Sequence, residues 1–246
     1  MRALIVDDEP LARAALRELL RGQRAVALVG EAANGFEAVK LIDELRPDLV
    51  LLDVQMPKLD GFEVLELVTH KPVVIFVTAY DQYALRAFEV HAVDYLLKPC
   101  SPERLGDALE RAREHAARGD APPARELAAA ARPEGRFLER IVVRDRAQVH
   151  VIPVERLDYV TAEDDYVSLR AGGKSYLKQQ TLGELERALD PQRFVRIHRS
   201  VLLNVERLAR IEPGAKDSRT AVLTDGTRLP VSRSGYARLR DELGLA

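Results

Sequence analysis

The chain has 246 residues, 47% hydrophobic and 31% charged, with a formal net charge of −2. That size leaves room for two ordinary domains of a soluble globular protein, and no apolar run approaches a membrane span. One cysteine, Cys100, excludes an internal disulfide and suits a reducing compartment.

The start, Met1-Arg-Ala-Leu-Ile-Val, reaches Asp7-Asp8 too early for a signal peptide, so a cytoplasmic protein is expected. Residues 1–117 alternate apolar runs with amphipathic segments, the pattern of a doubly wound α/β domain. Strands are expected at Ala3–Val6, Val26–Glu31, Leu49–Leu52, Val73–Val77 and Tyr95–Leu97. Helices are expected at Leu11–Leu20, Phe36–Leu45, Gly61–Val68, Gln82–Val90 and Pro102–Ala117. Turn residues punctuate them at Asn34-Gly35, Asp60-Gly61 and Lys98-Pro99. Such units fit a flavodoxin-like five-stranded parallel sheet of order 2-1-3-4-5, whose ligand site lies outside the carboxyl ends of the strands.

That topology would gather scattered polar residues. Asp7 and Asp8 follow the first strand, Asp53 the third, Thr78 the fourth and Lys98 the fifth. Three neighbouring carboxylates repel, so at neutral pH they need protons or a cation. A hard ion such as Mg²⁺ takes oxygen ligands and keeps part of its water. With Lys98 as a cation and Thr78 as a hydroxyl donor, the set describes a place for a phosphoryl group on Asp53. Each residue also has a plain reading. Asp7-Asp8-Glu9-Pro10 suits an acidic helix start, and a strand-end lysine is usually solvated. The order and type of all five together favour the phosphoryl site.

Asp7-Asp8, Asp53 within Leu-Asp-Val-Gln-Met-Pro, Thr78-Ala79 and Lys98-Pro99 resemble the receiver domain of two-component response regulators. The resemblance implies that Asp53 accepts phosphate from a histidine kinase. It implies Mg²⁺ held by Asp8, Asp53, the carbonyl of Gln55 and, directly or through water, Asp7. Thr78 and Lys98 would bind phosphoryl oxygens, Tyr95 would act with Thr78 as the switch, and Lys98-Pro99 would be cis. Dimerisation would use the face of the fourth helix, fifth strand and fifth helix. Arg86, Glu89, Asp94, Glu103, Arg104, Glu110 and Arg111 are its candidate charge pairs.

Residues 118–136, with Pro122-Pro123 and an alanine run, read as a linker. From Phe137 the rhythm changes to short alternating runs, with hairpin turns at Gly172-Gly173 and Asp225-Gly226. Only two helices interrupt, Leu182–Leu189 and Ser234–Leu243. The halves differ in charge: residues 1–136 hold 18 Lys/Arg against 23 Asp/Glu, and residues 137–246 hold 19 against 16. That gives nets of −5 and +3, the signs of an acidic regulatory half and a polyanion-binding half. No helix-turn-helix, zinc finger or basic zipper is apparent.

The segments Glu163-Asp-Asp-Tyr166, Phe194-Val-Arg-Ile-His198-Arg199-Ser200, Asn204 and Leu229-Pro-Val-Ser-Arg233 resemble the LytTR DNA-binding domain. Residues 137–246 would then form a mainly β DNA-binding domain after a receiver at 1–117, the whole being similar to the LytR/AlgR response regulators. The resemblance implies a ten-stranded β fold whose loops enter the major groove of duplex promoter DNA. Tyr166, His198, Arg199 and Arg233 are the candidate contacts, with Lys174, Lys178, Arg196 and Ser234 as further phosphate contacts. Two other outputs compete: a catalytic domain, and a protein- or RNA-binding module. Residues 137–246 hold no nucleophile elbow, metal-binding His pair or Gly-rich phosphate loop, so no enzyme is expected.

Overall fold

The computed structural model describes residues 1–79, 93–118, 137–145, 148–213 and 219–244. The chain forms two compact units, Met1–Glu134 and Gly135–Ala246.

In the first unit the strands are β1 (Arg2–Val6), β2 (Ala27–Ala32), β3 (Leu49–Leu52), β4 (Val73–Thr78) and β5 (Asp94–Leu97). They pair in parallel in the order β2-β1-β3-β4-β5, as expected. Helices span Pro10–Arg21, Gly35–Leu45, Gly61–Leu67 and Pro102–Arg118. The helix expected at Gln82–Val90 lies outside the described residues, as does most of the linker.

Side chains alternate across the sheet, so each strand feeds two cores. Ala3, Ile5, Leu49, Leu51, Val73 and Ile75 meet Leu16, Leu20, Leu105, Ala108 and Leu109 of the first and last helices. Central strands buried on both faces read as continuous apolar runs, and all four residues of β3 are buried. Helix starts are set locally. Pro10 occupies the first turn of its helix, and Asn34 Oδ1 accepts from Glu37 N–H at 2.9 Å. Asp60 and Glu63 form a reciprocal capping box, both bonds 2.8 Å.

The second unit contains ten strands among the described residues. β6 (Arg140–Asp145) pairs with β7 (Gln148–Pro153). β8 (Leu157–Glu163), β9 (Tyr166–Ala171), β10 (Lys174–Lys178), β11 (Phe194–His198) and β12 (Val201–Asn204) form a sheet of order β10-β9-β8-β12-β11. β13 (Leu208–Pro213), β14 (Arg219–Leu223) and β15 (Arg228–Val231) form a third sheet. Gly172 and Gly173 carry φ of 56° and 77°, the mirror-image turn that closes a two-residue hairpin.

β11 and β12 divide two cores. Phe194 and Leu202 pack with Ile141, Leu169 and the helix Leu182–Ala188. Val195, Ile197, Val201 and Leu203 pack with Leu223, Leu229, Val231 and Leu239 of the helix Arg233–Leu243. Asn204 is fully buried, and its amide is satisfied: Nδ2 donates to Leu157 O at 2.8 Å and Oδ1 accepts from Glu206 N–H at 3.1 Å. Its place in the sequence motif is therefore a packing role.

Candidate functional site

The parallel ladders of the first unit continue one residue past the strands. Asp53 N–H donates to Val6 O, and Lys98 N–H donates to Thr78 O, each at 2.9 Å. These bonds fix the chain just where the polar residues begin, so Asp7, Asp53, Thr78 and Lys98 stand together at the carboxyl edge. Asp7 and Thr78 are fully buried and Asp53 is 5% exposed. Carboxylate oxygens of Asp7, Asp8 and Asp53 lie within 4.8 Å of one another, a spacing that one cation could bridge.

Lys98 reaches into this cluster. Its Nζ donates to Asp53 Oδ2 at 2.6 Å and makes an ion-pair contact of 2.7 Å with Asp7 Oδ2. Burial favours the neutral amine, yet bonds to Asp53 and Asp7 outweigh it and raise the Lys98 pKa. Burial pushes Asp7 the same way, upward, against the partial relief of Lys98 and the Glu9 N–H. One ammonium therefore does not neutralise the pocket, and a carboxylate there still favours a proton or a further cation. Thr78 Oγ1 is buried without a hydrogen-bond partner among the described residues, which suits a hydroxyl awaiting an acceptor.

The loop beyond Asp53 is held close. A Cβ on Gly61 would lie 2.4 Å from Asp53 O, so only glycine lets the next helix start directly over the acceptor's backbone. Gln55 N–H donates to Asp53 Oδ1 at 3.2 Å, and Lys58 adopts a φ of 69°. Lys98-Pro99 is cis. Tyr95 is buried, its ring centroid 6.4 Å from that of Phe76.

Arg13 was not singled out from the sequence. Its Nη1 donates to Asp7 O at 2.7 Å and braces the turn that carries Asp7 and Asp8. Asp94 and its expected charge partners also look different in three dimensions. Asp94 is 2% exposed and accepts hydrogen bonds from Arg104 and Arg111 of its own chain. Those three charges are thus already paired internally.

In the second unit three loops meet at one end of the five-stranded sheet. Glu163 and Tyr166 close the β8–β9 hairpin, where Asp164 adopts a φ of 50°. Ala162 N–H donates to Ser200 O at 2.9 Å, which ties this hairpin to the β11–β12 turn. Ser232 N–H donates to Ile197 O at 2.8 Å, which brings the last helix's start to the same end. Tyr166, 44% exposed, His198, Arg199, Arg233 and Ser234 are thereby gathered. An open cleft of about 380 Å³ is lined by Glu186, Arg196, His198, Arg199, Ser232, Ser234 and Arg238. Arg238 was missed in the sequence, although it lies four residues after Ser234 and so on the same helix face.

Other expected contacts are placed differently. Lys174 sits opposite Ala171 beside the Gly172-Gly173 turn, at the far end of β9 from Tyr166. The six-residue strand runs about 17 Å from one end to the other. Lys178 lies nearer, opposite Val167, but its Nζ donates to Val142 O at 2.8 Å. Arg196 is likewise engaged: Nη1 donates to Glu186 at 2.9 Å and Nη2 to Arg199 O at 2.7 Å.

Comparison with known proteins places both halves. Residues 3–110 match the response regulator receiver domain, and residues 147–244 match the LytTr DNA-binding domain. The transcriptional regulatory protein BtsR of Salmonella typhi is 35% identical over 249 residues, covering 100% of both chains. The sensory transduction protein LytT of Enterococcus faecalis is equally similar, 35% identical over 249 residues and 100% of both chains. BtsR of Escherichia coli strain K12 is 34% identical over the same span of both chains.

Proposed function

Because the chain belongs to the response regulators that join a receiver to a LytTR DNA-binding domain, we propose that phosphate on Asp53 controls its binding to promoter DNA. The observation that carries this is the Lys98 ammonium, bonded to Asp53 at the mouth of a buried cluster of carboxylates. An Asp53 oxygen forms the new bond to phosphorus while the donor's P–N bond breaks, and the departing histidine of the kinase takes up a proton. Lys98 then exchanges its carboxylate partner for a phosphoryl oxygen. The unpartnered Thr78 hydroxyl gains an acceptor.

Asp8, Asp53, the Gln55 carbonyl and, directly or through water, Asp7 would hold Mg²⁺, whose positive charge would let one more anion enter this pocket. The raised Asp7 pKa and the spacing of the three carboxylates support that assignment.

The signal leaves the receiver through Thr78 and Tyr95, and dimerisation uses the face that contains β5 and the helix Pro102–Arg118. The expected fourth helix of that face lies outside the described residues. Arg104 and Arg111 serve a partner chain only by releasing Asp94. On the DNA side, Tyr166, His198, Arg199, Arg233 and Ser234 make the contacts, with Arg238 added to them. Arg196 and Lys178 support loops rather than touch phosphate. No described helix is long and apolar enough to cross a membrane.

The test is gel-shift selection from random duplexes, with and without a small-molecule phosphodonor. The wild-type protein should select a sequence and bind it more tightly with the donor. Asp53→Asn should select the same sequence and ignore the donor. An Asp53→Asn protein that responds as fully as the wild type refutes the phospho-acceptor assignment.

A further inference from the structure

We infer, resting on the DNA-binding reading, that His198 presents a single hydrogen-bond donor, the Nε2–H of a neutral ring, to the N7 acceptor of a purine in the major groove. The argument begins with the polarity of one hydrogen bond. Ser200 N–H donates to His198 Nδ1 at 3.3 Å, and Ser200 Oγ lies 2.8 Å from the same nitrogen. A backbone amide can only donate, so Nδ1 is the bare nitrogen and the ring proton sits on Nε2. No hydrogen bond engages Nε2 among the described residues.

The donor is also held in place. Ser200 O is fixed by Ala162 N–H at 2.9 Å, and Arg199 O by Arg196 Nη2 at 2.7 Å. Both bonds brace the β11–β12 turn beside His198, whose backbone pairs with Val201 after a register shift past Arg196. A preorganised donor on a rigid turn suits base reading better than phosphate binding. The neutral ring brings no charge, while Arg199 and Arg238 in the same cleft supply it.

A lone donor selects acceptor edges. Guanine and adenine both offer N7 in the major groove and thymine offers O4, which the 7-deaza test separates from N7, whereas cytosine offers a donor, which an Nε2–H refuses. His198 would therefore exclude cytosine, and N7 is the acceptor that only the two purines share; Arg199 beside it can take a neighbouring guanine.

The experiment uses the full-length protein and its selected duplex, with each purine replaced singly by its 7-deaza analogue. One such replacement should weaken the wild-type protein about tenfold, within the usual worth of a base contact. The informative variant is His198→Asn. Its Oδ1 can accept the Ser200 N–H in an Asx turn, so the loop keeps its support, while its remaining donor, Nδ2, falls short of the place that Nε2 occupies. His198→Asn should bind the parent and the sensitive 7-deaza duplex equally. Equal sensitivity in the two proteins overturns the inference. So does a wild-type protein indifferent to every 7-deazapurine, whatever the variant does. A drop of about one in the salt slope for His198→Asn would overturn it too, by marking a phosphate contact. Failure to select any duplex would instead bring down the DNA-binding reading, and this inference with it.

Discussion

Gly235 is where the last helix touches β11, and Gly235→Ala tests that junction. A Cβ there would lie 1.9 Å from Ile197 O and 2.4 Å from its carbonyl carbon. Carbon and oxygen rest no closer than about 3.3 Å, so helix and strand must part by more than an ångström. Parting them strains the Ser232 bonds to Ile197 O, 2.8 Å from the amide and 3.1 Å from the hydroxyl. It also loosens Leu239, which is fully buried. Overpacking of this kind costs about 1–3 kcal/mol and a lost cap about 1, against which alanine returns up to about 1 as a helix former. The net loss is then about 2 kcal/mol. Gly183→Ala is the matched control, since its Cβ would meet nothing nearer than Arg196 Nη1 at 4.0 Å. Urea unfolding followed by circular dichroism should show Gly235→Ala destabilised and Gly183→Ala equal to or above the wild type. Affinity for the selected duplex should fall with Gly235→Ala, because Ser232, Arg233 and Ser234 move with the helix start. Identical unfolding midpoints for the two variants would refute the docking of this helix on Ile197.

The remaining predictions concern charge and close approach. Burial raises the Asp94 pKa, but hydrogen bonds from Arg104 and Arg111 outweigh it and hold the carboxyl below its usual 3.8. A depressed folded pKa stabilises fully above the unfolded value and is lost as pH falls through the folded one. Asp94→Asn should therefore cost about 2 kcal/mol at pH 7, discounted because both arginines are half-exposed, and the deficit should close in acid titrations below pH 3.8. Gly61→Ala should slow phosphorylation by a small-molecule donor at least about tenfold, because its Cβ meets Asp53 O and displaces the acceptor; an unchanged rate would refute the close approach. Arg196→Ala should weaken DNA binding while leaving the salt slope unchanged, since its guanidinium is spent on Glu186 and Arg199 O; a slope reduced by about one would restore it as a phosphate contact.

The first unit was legible from sequence because a parallel sheet leaves few choices. Leu49–Leu52 could only be a strand buried on both faces, and the crossover rule then put Asp7, Asp53 and Lys98 at one edge without knowledge of a single side-chain contact. The boundaries moved by a residue or so, as when β4 ran on to Thr78 and β5 began at Asp94. Arg13 was invisible because its partner is a backbone carbonyl, which no residue type announces.

The second unit was legible as strands and turns but not as neighbours, and the difference falls on the charged residues. Arg196, Lys178 and Lys174 are all chemically able to bind phosphate, and nothing in their spacing separates them. Arg196 and Lys178 are decided by contacts outside their own strands, and Lys174 by the hairpin register. Glu186 draws Arg196 inward, Val142 O takes Lys178, and the antiparallel register of β9 and β10 carries Lys174 to the opposite end. The residues left at the end proposed to face DNA are those next to turns tied by main-chain bonds, Ala162 to Ser200 and Ser232 to Ile197. Such ties cost no side-chain charge, so Arg199, an exposed residue of the β11–β12 turn, keeps its charge on the outer side of that turn, where the proposed contacts with phosphate and base edges would be made.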